Sequence, residues 1–109
     1  MAGHDFASLF AKYPTVIAAM PDSFTSHEFI LHLAHQYQTL YIEALYSYRG
    51  RNQRGSPAPF FMVHGILAQQ LLEYPKLIRQ VRKNVPSKTI FGGDAGCSEW
   101  KKVKKSLPI

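Results

Sequence analysis

The chain has 109 residues with seven Phe, six Tyr and one Trp, enough large apolar side chains to bury one core without metal or disulfide support. A lone cysteine, Cys97, leaves no internal disulfide, no apolar run approaches the roughly 20 residues of a membrane helix, and the N-terminus lacks the charged and apolar regions of a signal peptide. The expectation is one domain over residues 1–109, without a membrane segment, in the reducing cytoplasm.

The net charge of +6 is unevenly divided. Residues 1–48 set Lys12 against Asp5, Asp22, Glu28 and Glu43, a balance of −3, whereas residues 49–109 set the other 12 basic groups against Glu73, Asp94 and Glu99, a balance of +9. A basic half on a small domain points to a polyanionic partner, with nucleic acid the commonest. The plain alternative is that the lysines keep the surface soluble.

In chain order, Asp5 is placed to cap a short helix over residues 6–13, and Pro14 opens a second helical turn through Val16 and Ile17 to Met20, closed by Pro21-Asp22. Residues 1–22 are thus read as N-terminal helices. Thr25-Ser26-His27-Glu28 is a capping box, with a hydroxyl and a carboxylate placed to satisfy each other's end of a helix start. Beyond it Phe29, Ile30, Leu33, Tyr37, Leu40, Tyr41, Ala44 and Tyr48 keep one helical phase, which predicts a long helix over residues 26–48 or two collinear pieces. Glu28, His32, His35 and Thr39 project from the opposite face but form an incomplete ligand set, so no metal is expected.

Arg49, Arg51 and Arg54 stand between Gly50 and Gly55 in a basic, turn-rich loop whose guanidinium groups suit phosphate oxygens. Ser56 as N-cap and Pro57 as first helical residue predict a helix over residues 56–74, stopped by Pro75. Phe60, Val63, Leu67, Leu71 and Tyr74 would be its buried face, with His64 at the margin as a hydrogen-bonded core histidine. Its outer arc is Met62, Gly65, Ile66, Gln69 and Glu73, of which Gln69 is best equipped to touch a base edge.

The alternation of residues 77–82 predicts a strand, Thr89-Ile90-Phe91 a second short β-prone run, and residues 97–103 a last strand with Trp100 inward and Glu99 and Lys101 outward. Pairing of the first and last strands would leave residues 83–96 as a protruding loop with Lys83 and Lys88 near its tip, and residues 104–109 as a basic tail. Catalytic patterns are thin. Glu99-Trp100-Lys101 with Asp94 matches the end of a metal-nuclease motif too short to carry weight, Cys97 and His64 have no nucleophile signature around them, and residues 92–96 lack a phosphate-loop lysine.

Helices, a capped helix after the extended Ser23-Phe24, a further apolar helix and a C-terminal hairpin give an α+β chain, mostly helical over its first two-thirds. Over residues 23–103 this element order resembles the winged helix-turn-helix architecture. The resemblance implies a DNA-binding, transcription-regulating domain in which the helix at 56–74 enters the major groove and the hairpin touches the backbone or the minor groove. The expected function is non-enzymatic nucleic-acid binding without a cofactor: Arg49, Arg51, Arg54, Lys83, Lys88, Lys101 and Lys102 on phosphates and Gln69 on a base. The competing expectation is an interaction or homodimerisation module using Leu31, Ile42, Leu45, Met62 and Ile66.

Overall fold

A computed structural model describes residues 6–49, 52–53, 56–57, 59–90 and 92–103. The expected cap Asp5, Arg51, Arg54 and the tail at 104–109 lie outside them. The chain is α+β. Helices α1 (Ala7–Phe10) and α2 (Tyr13–Ala19) precede a short strand β1 (Ser23–Thr25), which runs directly into α3 (Ser26–Gln36). The capping box forms as its residues dictate: the Glu28 amide donates to Thr25 Oγ1 at 3.2 Å and the Thr25 amide donates to Glu28 Oε1 at 2.7 Å.

Of the two expectations for residues 26–48, a single long helix is not what forms: the segment is two helices. Tyr37 leaves helical geometry (φ −128°, ψ 57°), and α4 (Gln38–Ser47) starts after it. The break lets Phe29, Ile30 and Leu33 of α3 and Tyr41 and Ala44 of α4 all reach one interior. The Gln38 side chain donates to the His35 carbonyl at 3.1 Å, which satisfies an acceptor beside the break.

The expected start of the next helix is also corrected. Asn52–Gln53 (β2) pairs antiparallel with Ser56–Pro57 (β3), so Ser56 and Pro57 belong to an extended pair, and helix α5 is Pro59–Gln70. A 3₁₀ turn at Leu71–Glu73 finishes it ahead of Pro75. Val63, Leu67 and Leu71 face the core as the periodicity requires, whereas Phe60 and Leu72 are exposed.

The C-terminal hairpin is longer than its hydrophobic pattern suggested. Strands β4 (Ile78–Lys88) and β5 (Asp94–Lys102) pair almost to the turn, so Lys83 lies within a strand and Lys88 is paired with Asp94, and residues 83–96 are not a loop. Gly92 adopts φ +84°, which favours glycine, and closes a tight turn with its amide donating to the Thr89 carbonyl at 2.9 Å. β1 adds to the other edge of β5, which gives the antiparallel order β1-β5-β4.

One core joins these elements. Tyr13, fully buried, packs its ring on Phe29 and Tyr74 at centroid distances of 4.7 and 5.5 Å, and its hydroxyl donates to the Leu67 carbonyl at 2.6 Å. Trp100 lies opposite Phe24 and donates its indole N–H to Ser26 Oγ at 2.9 Å, which ties the sheet to the start of α3. Among the described residues no helix is long and apolar enough to cross a membrane.

Candidate functional site

Two surfaces carry chemistry. The first is the outer face of the hairpin. The β5 residues run without an insertion, so Glu99 and Lys101 share the face opposite Trp100. Arg79 stands directly opposite Lys101, and on the other side Lys101 is flanked only by Ser23. Arg79 and Lys101 are both exposed. Glu99 is committed to Arg82 at 2.5 Å, and this contact raises the already high guanidinium pKa further.

The expected phosphate-binding residues among those described differ in their partners. Lys83 is exposed on β4. Lys88 is ion-paired with Asp94, and Lys102 donates to the Ala18 carbonyl at 3.0 Å, so both have structural partners. Arg49 donates to the Tyr46 carbonyl at 2.9 Å and lays its guanidinium 3.9 Å from the Tyr46 ring centre at the end of α4. Asp94 and Glu99, five residues apart on an unbulged strand, project from opposite faces and each holds a cation. Among the described residues no group of three His, Cys, Asp or Glu is arranged to hold a metal ion.

The second surface is a cleft of about 450 Å³ between the helices and the inner face of the hairpin. Its formation follows from two irregularities in β4. Gln80 pairs with Trp100, Arg82 with Glu99 and Val85 with Cys97, so β4 carries one extra residue at each of two points. Asn84, at the second, takes φ 55°. Bulges bend a strand and increase its twist. The far end of the hairpin accordingly lies over α5, with Ile90 packed against the core and Ala95 to Ser98 facing Phe60, His64 and Ala68 across the cleft.

Apolar walls come from Ile30, Phe60, Ala68, Leu72 and Trp100. Polar groups are the amides of Gln69 and Gln80, the hydroxyls of Ser98 and Thr89, and the imidazoles of His27 and His64. The Gln80 side chain donates to Ser98 Oγ, which fixes both on the inner face. His64 shares a 2.6 Å hydrogen bond with the Tyr41 hydroxyl. Burial, with the neighbouring His27 ring adding to it, lowers the His64 pKa to about 4, and burial pushes Tyr41 up to about 12. Both are neutral near pH 7, so the phenol is the natural donor and His64 Nε2 the acceptor.

Burial also lowers His27, against a smaller opposing effect of the Lys88 backbone carbonyl; His27 Nδ1 is buried with no hydrogen-bond partner among the described residues. The cleft therefore has no charged lining side chain among the described residues. Gln69, expected on an outer arc, sits at its edge. Sequence reasoning gave His27 no role and missed Gln80 and Ser98. The available signal was Gly65, a glycine inside a helix, where it costs about 1 kcal/mol relative to alanine. A Cβ placed there would meet nothing within 4 Å. Close packing is thus not what requires it, and Gly65 lines the cleft.

Compared with known proteins, the chain matches no family model, no curated protein and no solved structure.

Proposed function

We propose that this chain is a non-enzymatic nucleic-acid-binding domain, winged-helix-like in its element order, whose C-terminal hairpin contacts the phosphate backbone. The observation that carries the reading is the cross-strand pair Arg79 and Lys101. Like charges directly opposite in a sheet oppose folding, and here both are exposed, while Glu99, on the same face of β5 as Lys101, is committed to Arg82. An anionic partner relieves that repulsion. Lys83 extends the same exposed hairpin, whereas Arg51 and Arg54 enter the reading through composition alone. Contacts of this kind hold a backbone without reading sequence.

Fluorescence anisotropy with duplex and single-stranded DNA over a range of salt tests this. Affinity should fall steeply with salt, and the double variant Arg79→Gln/Lys101→Gln should reduce the slope of log K against log salt by about 2. Salt-insensitive binding, or an unchanged slope in the variant, refutes the reading.

A second reading, self-association, is favoured by Ile42 and Tyr46, which are 60% and 62% exposed one turn apart on α4. Leu45 packs partly against the core and drops out of that surface, while Leu31 stays exposed. Sedimentation should show a concentration-dependent dimer that Ile42→Lys abolishes. A monomer at all concentrations removes this reading.

A further inference from the structure

We propose that the cleft between α5 and the bent hairpin is a binding site for an uncharged aromatic molecule of one or two rings. Its volume of about 450 Å³ falls in the range of small-molecule sites, roughly 300–1,000 Å³, and its make-up, apolar walls with a few convergent polar groups, is what such sites share. Trp100 and Phe60 supply aromatic surface, and Trp100 is held in orientation by its bond to Ser26. The amides of Gln69 and Gln80 offer both donors and acceptors to the polar edge of a ring.

Charge selects the class. The protein carries +6 overall, yet among the described residues none that lines the cleft is a carboxylate, an ammonium or a guanidinium. An ionised ligand entering it would lose water without gaining a counter-charge, which is strongly unfavourable. The cleft and the outer surface therefore prefer opposite ligands: the hairpin's outer face favours anions and the cleft favours neutral molecules. Gly65 lines this cleft as well as a shallower groove beside it, and a Cβ there would meet nothing within 4 Å although alanine would make a better helix. This inference is independent of nucleic-acid binding, since its probes carry no phosphate.

Three probes of one shape separate the possibilities: 2-naphthol, 2-naphthoate and 2-naphthylmethylammonium, titrated into the full chain by calorimetry at neutral pH. 2-Naphthol should bind saturably at one site and more than about tenfold more tightly than either ion, the minimum expected where a charge would be buried unpaired. Gly65→Leu, which extends a side chain from the open position, should abolish 2-naphthol binding while the emission of Trp100 keeps its folded maximum. Absence of saturable 2-naphthol binding overturns the proposal. So does naphthoate binding as tightly as naphthol, which would assign the affinity to the basic surface. Wild-type affinity in a folded Gly65→Leu variant overturns it as well; should that variant lose its fold, the ranking of the three probes on the wild-type chain decides.

Discussion

Among individual residues, the pair Tyr41 and His64 shows how burial sets chemistry. His64 binds protons less well in the fold than in the unfolded chain, where its pKa is 6.5, because burial and the nearby His27 both disfavour the imidazolium. The unfolded state therefore takes up protons that the folded state refuses. Stability is present in full above pH 6.5 and is lost as the pH falls towards about 4. Unfolding in urea at a series of pH values should show this loss, on the order of 2–3 kcal/mol for His64 once its partial exposure is allowed for, with His27 acting in the same direction. His64→Gln should flatten most of it. A stability that holds constant between neutral pH and about pH 4 would mean that His64 is not buried in this way.

Elements depend on local chemistry where that chemistry is closed within a few residues. The capping box at Thr25 and Glu28 was legible because both partners lie within one turn, and it forms as expected. The start of α5 was not. Ser56-Pro57 has the composition of a cap, but β pairing with Asn52–Gln53 takes those residues, and Pro59 offers the same first-turn preference two positions later. Gly65 belongs to this scale too. Gly65→Ala should raise stability by about 1 kcal/mol, because helix propensity improves and the added Cβ meets nothing within 4 Å. Thermal unfolding measures it, and a destabilised variant would show that the space beside α5 is filled.

For the whole molecule, what matters is how the sheet is fastened to the helices. Trp100 is buried but for its edge on the cleft, and its indole N–H to Ser26 Oγ is a long-range bond between β5 and α3. Trp100→Phe retains an aromatic ring but leaves a buried Ser26 hydroxyl without its donor, which should cost about 1–3 kcal/mol on thermal denaturation. An unchanged melting temperature would place the attachment of the sheet elsewhere. Both partners of that attachment, Trp100 and Ser26, line the cleft. The helix order, the buried faces of α3 and α5 and the inward Trp100 could be read from periodicity and capping, since those patterns record which side of an element avoids water. The cationic half could be read from composition.

The length of the hairpin could not, because Pro86 and Gly96 carry weak strand propensity and are held in β structure by pairing with each other across the strands. The sequence left one helix or two pieces open over residues 26–48, and only the structure puts the break at Tyr37. Nor could the partners of the charges be foreseen. Lys88 finds Asp94, Arg82 finds Glu99 and Lys102 finds the Ala18 carbonyl only once β4 and β5 are in register, and that leaves Arg79 and Lys101 facing each other. The sequence by itself determined which residues avoid water and where positive charge accumulates, because side-chain solvation is a property of each residue. Only the tertiary structure decided which of the described cations pair with a carboxylate and that His27, His64, Gln80 and Ser98 line one cleft, because these depend on strand register and on bulges that redirect the chain.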